Sequence, residues 1–383
     1  MSGPVRAAVV RGAGLPVSIE EIELSPPGPA QVRVRVHAAG VCHSDLSIAR
    51  GRLTHPAPVV LGHEAAGRVV EVGEAVWGLE VGDPVVLTWS APCRDCWFCD
   101  NAEPYLCQHA QRAEQRSYAR LADGTPLYPC LGVGALATET VIDESACVRL
   151  PDDVPLEQAA LLGCAVLTGV GAVRHAAQVR PGESVAVFGL GGVGLSAVQG
   201  SRLAGAARII AVDPAPAKLA LARTLGATDV LEAGPDVARR IRALCGDRGA
   251  DVAIECVGRA DTIRAAWSST RRGGRTTVVG LGSRDDPVTF NALELTYFAR
   301  TLAGCMYGSA DPSADIPRLL EHHREGRLDL AALIAGTVDL DDVGASLDRL
   351  AAGTGVRDVV LPNGPLAASG LARSERAAGD HHE

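Results

Sequence analysis

The chain has 383 residues, 47% of them hydrophobic and 21% charged, with a formal net charge of -9. That length accommodates two domains of ordinary size, each with its own core, and the acidic balance argues against nucleic acid or an anionic membrane as main partner. Eleven cysteines are an odd number, which suits metal-held thiolates in a reducing cytoplasm better than a disulfide framework. No stretch has the apolar length of a membrane span, and MSGPVRAAVV lacks the features of a signal peptide.

The first 150 residues alternate short β-branched runs with glycine- and proline-rich turns. Gln31–Val36 (QVRVRV) alternates polar and apolar residues, as a half-buried strand does. Ala66–Val72 and Asp83–Leu87 read the same way, so a loop-rich, mainly β domain is expected here. Two sharp glycine turns in it carry metal-ligand chemistry, Gly40-VCHSD and Gly62-HE; a third segment, Gly163-CAVLTG, follows later. Cys42, His63 and Cys164 would together supply two thiolates and an imidazole and leave a fourth position on Zn2+ open. Singly, each also reads as a buried core residue, and spacing alone does not bring them together.

Cys93, Cys96, Cys99 and Cys107 follow in CRDCWFCDNAEPYLC. Their spacing allows convergence on one tetrahedral zinc. In ferredoxins the fourth cysteine follows at a gap of three with proline after it; here the gap is longer and Gln108 follows. A closed four-thiolate site is structural, so the chemistry must lie elsewhere.

From about residue 166 the pattern changes to alternating apolar strands and helices with short connections. Strands are expected at Ser184-VAVFG, Arg208-IIAVD, Asp229-VLEA, Asp251-VAIECVG and Arg275-TTVVGLG, separated by helices. This describes a parallel sheet covered on both faces. Between the first strand and its helix lies Gly189-LGGVG, with Gly189, Gly191 and Gly194 as G-x-G-x-x-G and Gly192 inside it. The glycines allow the tight turn, the approach of a pyrophosphate, and close helix packing, while the helix N-terminus presents free N–H groups. Asp213, ending the second strand, suits the adenine-ribose hydroxyls and would repel a 2′-phosphate, so NAD is expected over NADP. Lys218, the only lysine in the chain, could reach the same ribose or be a solvated helix cation. From 307 helix and strand mix again, closing with Arg357-DVVLP. Residues 364–383 are small, polar and aperiodic, as a disordered tail is.

In GHE at 62–64, GVCHSD at 40–45, the four-cysteine lobe, GLGGVG and Asp213, the chain resembles a zinc-dependent alcohol dehydrogenase of the medium-chain dehydrogenase/reductase superfamily. The resemblance implies an α/β protein: a GroES-like, mainly-β catalytic domain from residues 1–165 and 307–363, and a Rossmann NAD-binding domain over 166–306. It implies two Zn2+ per chain, one structural and one catalytic, the latter held by Cys42, His63 and Cys164 with Glu64 as alternate ligand. Asp45 would orient the histidine, and Ser44 would take the alcohol proton. Ser47 stands where many members carry the outer histidine of the proton relay. His43 and Arg357 would pair with the pyrophosphate, Thr168, Val193 and Val279 would contact the nicotinamide end, and Leu53, Trp89 and Leu131 would line the substrate pocket.

The implied activity is reversible hydride transfer between NAD and a primary alcohol or aldehyde, aromatic or otherwise bulky and apolar. A mycothiol-type, thiol-dependent formaldehyde dehydrogenase is the alternative, since Leu87-TWSAPC and Leu131-GVGALATE are reminiscent of that branch. Leu53 and His55 stand where the glutathione-type branch carries acidic residues. A non-catalytic NAD-binding redox sensor is a remote third reading. The long segment between Cys107 and Cys164 resembles that of the dimeric branch, so a homodimer is expected.

Overall fold

The computed structural model describes residues 4–365. Of the expected tail, residues 366–383 lie outside the described residues.

Val5–Val10, Val17–Leu24, Ala119–Leu121, Pro126–Pro129 and Val59–Val60 close a small barrel. Beside it runs a mixed sheet in the order Cys147–Arg149, Pro84–Leu87, Ala65–Val72, Gln31–Gly40, Asp358–Leu361, Gly336–Asp339, with Glu139–Asp143 also paired to Gln31–Gly40. The strand expected over 31–36 therefore runs four residues further. Ala38, Ala39 and Gly40 carry none of the alternation that marked its first half, because both faces are covered there and the pairing residues Ala65 and Ala66 are equally small. Asp358–Leu361 pairs antiparallel with the end of the same strand, Val359 opposite Gly40, so both ends of the chain meet in one sheet.

The second sheet is parallel, in the order Asp229–Glu232, Arg208–Asp213, Ser184–Phe188, Ala250–Glu255, Thr270–Val278, Thr301–Gly304. The chain runs outward from Ser184–Phe188 to Asp229–Glu232 and then crosses to Ala250–Glu255 on the other side, so the strand order reverses there and opens a crevice at the carboxyl ends of the central strands, where α/β sheets bind ligands. Gly189 begins the turn there with φ 85°, and a Cβ on it would lie 2.5 Å from Val257. The following helix, Gly192–Leu203, starts one residue earlier than its apolar pattern suggests.

This helix packs backbone to backbone against Ala165–Gly171. A Cβ on Gly169 would fall 2.3 Å from the Val193 carbonyl oxygen, so only glycine fits. Ser196 and Ser201, inside the packed face, bond the carbonyls of Gly192 and Ala197 at 2.7 and 2.8 Å, which satisfies their buried hydroxyls. Ala165–Gly171 thus joins the two sheets and carries Cys164 at its start. Among the described residues no single helix is long and apolar enough to cross a membrane.

Candidate metal centre and dinucleotide turn

Two adjacent antiparallel strands, Gln31–Gly40 and Ala65–Val72, bring the first two candidate ligands to one edge. Gly40 N–H donates to the Glu64 carbonyl at 2.8 Å, so the residues just beyond each strand, Cys42 and His63, emerge side by side. Gly40 has no room for a side chain, since a Cβ would lie 2.1 Å from Glu64 Oε1. Gly62, with φ 96°, approaches the Leu136 backbone equally closely. Cys164 arrives from the other direction, where Gly163 abuts the Leu87 carbonyl; a Cβ there would be 2.2 Å from it. The ligand atoms of Cys42, His63 and Cys164 lie within 4.8 Å of one another, and all three residues are buried.

The surroundings fit a cation. Asp45 is fully buried and its carboxylate accepts from Cys42 N (3.0 Å), Gly62 N (2.9 Å) and His63 Nδ1 (3.1 Å). With the proton fixed on Nδ1, Nε2 is left as an acceptor aimed into the site, buried and without a hydrogen-bond partner. A hydrogen bond from Cys164 holds the Cys42 thiol well below its ordinary range against the opposing effect of burial, with Arg357 and His63 adding to the stabilisation of its thiolate. The same bond and burial push Cys164 up. Such a site gathers negative charge and an unpaired imidazole nitrogen where a divalent metal would neutralise both.

Glu64 lies behind the ligands. Its Oε2 accepts from Ala165 N at 3.0 Å and stands 3.4 Å from Arg357, while Oε1 has no partner. Burial raises its carboxyl to about 7 against the opposing charge of Arg357. Arg357 is itself buried, donating to the Val41 carbonyl, and its guanidinium lies 2.7 Å from the position of a Cβ on Gly192. It therefore sits under the first turn of the dinucleotide helix with Glu64 as its ion-pair partner, a contact the sequence did not suggest. His43 lies exposed at the start of the helix His43–Ala49. Ser44 is half-buried, its Oγ 4.0 Å from Cys42 Sγ. Ser47 is half-buried too, its carbonyl accepting from Arg52 and Leu53.

At the glycine turn a Cβ on Gly191 would meet nothing within 4 Å, whereas one on Gly194 would overlap the Gly189 carbonyl oxygen at 1.8 Å. Gly191 thus faces space a phosphate can occupy, and Gly194 packs the helix onto the strand. Asp213 is buried at the end of its strand and accepts from Leu190 N (2.8 Å) and Ala215 N (2.9 Å). It closes the glycine turn as well as facing the crevice, and each oxygen keeps a second lone pair. Lys218 is half-buried on the helix Pro216–Thr224. Thr168 is buried with its hydroxyl unpartnered, and Val193 and Val279 are half-buried at the crevice.

Leu53, Trp89 and Leu131 pack on one apolar cluster with Leu46, Ala49 and Cys130. Tyr307 was not singled out by any local pattern. Its ring lies 4.4 Å from that of Trp89 and its hydroxyl donates to the Gly163 carbonyl, directly before Cys164. The thiols of Cys93, Cys96, Cys99 and Cys107 converge within 4.8 Å in a separate lobe. Backbone N–H groups of Cys93 and His109 point at Cys107 Sγ (3.3 and 3.4 Å), which suits a thiolate.

Comparison with known proteins identifies the family and the fold. The alcohol dehydrogenase GroES-like domain family matches residues 28–152, and the zinc-binding dehydrogenase family matches residues 192–324. An S-(hydroxymethyl)glutathione dehydrogenase of Photobacterium damsela subsp. piscicida is 35% identical over 93% of this chain and 99% of its own length. One from Escherichia coli O1:K1 / APEC is 36% identical with the same coverage. Among solved structures, an alcohol dehydrogenase zinc-binding domain protein from Burkholderia ambifaria superposes with a TM-score of 0.89 at 34% identity, over 94% of this chain and 99% of that one. Benzyl alcohol dehydrogenase from Acinetobacter calcoaceticus follows at 0.87 and 28%, with the same coverage. The chain belongs to the zinc-dependent alcohol dehydrogenases of the medium-chain dehydrogenase/reductase superfamily, NAD-dependent oxidoreductases with a GroES-like domain and a Rossmann-like domain.

Proposed function

We propose that this protein oxidises a primary alcohol whose substituent is aromatic or otherwise bulky and apolar, and reduces the corresponding aldehyde, with NAD(H). The observation that carries the reading is three half-buried apolar side chains, Leu53, Trp89 and Leu131, on the core that also includes Leu46 of the helix that begins directly after Cys42. Cys42, His63 and Cys164 would hold a zinc ion, which would supply the positive charge that acidifies an alcohol hydroxyl or polarises an aldehyde carbonyl. Asp45 keeps His63 in the ligating tautomer, and Ser44, beside Cys42, takes the hydroxyl proton.

With Ser47 next along the helix, that proton continues to water rather than to a histidine. The N–H groups at the start of Gly192–Leu203 hold the cofactor diphosphate, with His43 and Arg357 adding positive charge. Asp213 and Lys218 bind the adenine ribose, and Thr168, Val193 and Val279 set the nicotinamide against the substrate. Glu64 remains paired to Arg357 and serves as the alternate ligand. Cys93, Cys96, Cys99 and Cys107 would hold the second, structural zinc.

A second reading, oxidation of the adduct of formaldehyde with a low-molecular-weight thiol, is favoured by the names of the 35–36% identical relatives. Benzyl alcohol and formaldehyde assayed with NAD, with and without added thiol, separate the two. NADH formation from benzyl alcohol without thiol supports the first; formaldehyde oxidation only with thiol replaces it with the second.

The working form is a homodimer in the cytoplasm. Among the described residues Thr301–Gly304 is an edge strand with its outer side unpaired; it carries exposed Leu302 and follows the helix with exposed Leu293 and Tyr297. An open apolar edge of this kind is stable when a second copy covers it. The eleven free cysteines suit a reducing compartment.

A further inference from the structure

The turn Cys130–Gly132 carries two consecutive side chains with different tasks. Cys130 is fully buried, and its Sγ donates to Asp45 Oδ1 at 3.5 Å, the carboxylate that also holds His63. Leu131 is half-buried against the same apolar core as Leu53 and Trp89. To face that way Leu131 adopts φ 49° and ψ 32°, the left-handed region that residues with a side chain hold only when the surroundings enforce it.

The enforcement comes from His55, 76 residues away in sequence, whose Nε2 accepts from Leu131 N at 3.2 Å. His55 Nδ1 lies 2.9 Å from the Pro56 carbonyl oxygen. A carbonyl only accepts, so Nδ1 carries the proton, and Nε2 is free to accept from Leu131. One neutral tautomer satisfies both contacts. The side chain is 2% exposed, so water does not replace either. On its other side the turn is backed by Ala113, 2.9 Å from where a Cβ on Gly132 would stand.

We propose that His55 is a specificity-determining positioning residue. By accepting the Leu131 N–H it fixes the left-handed turn and makes Leu131 a rigid wall of the substrate pocket, which selects a bulky, uncharged alcohol over a short one. The inference rests on the apolar-alcohol reading. Both ring nitrogens of His55 are occupied within the protein, Nδ1 by the Pro56 carbonyl and Nε2 by the Leu131 N–H, with Glu114 Oε2 3.8 Å from Nε2 on the same side.

The test uses the zinc-loaded enzyme and its His55→Ala and His55→Gln variants. It combines kcat/KM for benzyl alcohol and for ethanol with hydrogen exchange of the peptide spanning 128–134. In His55→Ala, exchange in that peptide should quicken and the preference for benzyl alcohol over ethanol should fall about tenfold, mainly through KM. His55→Gln, with an amide oxygen to accept the N–H, should recover part of both. Unchanged exchange, or an unchanged preference in a folded variant with wild-type zinc content, would overturn the proposal.

If His55→Ala does not fold, Leu131→Gly decides, because it tolerates the left-handed backbone but removes the wall. It should lose the same preference, and retaining it overturns the proposal. A wild-type enzyme that oxidises neither alcohol would defeat the functional reading instead, while the exchange readout would still decide whether His55 holds the turn.

Discussion

Asp45 links the centre's local geometry to its chemistry. One buried carboxylate fixes two backbone N–H groups and one imidazole. Replacing it with alanine leaves both N–H groups unpaired, each costing about 1–3 kcal/mol. It also frees His63 to rotate, which should weaken zinc about 10–100-fold. Chelator competition and urea unfolding of Asp45→Ala should show both losses together; wild-type zinc affinity would contradict this role. The residues at sharp glycine turns were legible in the sequence because Gly40 and Gly62 stand directly beside their ligands. Tyr307 was not legible. Its hydroxyl meets Gly163 across 144 residues, and no local spacing signals such a contact. The pairing of Arg357 with Glu64 was hidden for the same reason, since the two approach each other only when both ends of the chain enter one sheet.

At the scale of elements, the parallel strands were legible from continuous apolar runs, and their ends shifted by a few residues where glycine or small residues broke the pattern. The strand Thr270–Val278 begins five residues before its apolar part, because Thr270 pairs with Ala250 ahead of the Arg271–Gly274 irregularity. Asp251 ties this region together. Burial pushes its carboxyl up, but hydrogen bonds from Ser184 N and Oγ (2.8 and 2.7 Å) and from Arg271 (2.5 Å) outweigh it and hold the group below its ordinary value. A carboxyl depressed in the folded state contributes stability that is present above the unfolded value, about 3.9, and is lost as pH falls through the folded one. Wild type should therefore exceed Asp251→Asn in unfolding free energy at pH 7 by an amount that shrinks steadily below about pH 4. Denaturant melts at several pH values check this; a difference independent of pH would contradict it.

At the scale of the whole molecule, six of the eleven thiols gather in two separate clusters. The lobe of Cys93, Cys96, Cys99 and Cys107 is anchored by Arg94, whose two terminal guanidinium nitrogens donate to Asp311 at 2.6 Å at the start of the helix Pro312–Arg324. Under the proposed function it takes no direct part in the crevice chemistry, and its regular spacing makes its convergence legible in the sequence. The two thiols proposed for catalysis are separated by more than a hundred residues, and only the fold brings Cys42 and Cys164 to His63. The most direct measurement is therefore zinc content, thermal stability and alcohol-dependent NADH formation in Cys42→Ser beside Cys99→Ser. The predicted result is asymmetric. Cys42→Ser stays folded, keeps one zinc per chain and forms no NADH, while Cys99→Ser loses the lobe's zinc and stability. Turnover persisting in Cys42→Ser at the wild-type rate would contradict the assignment of the catalytic centre.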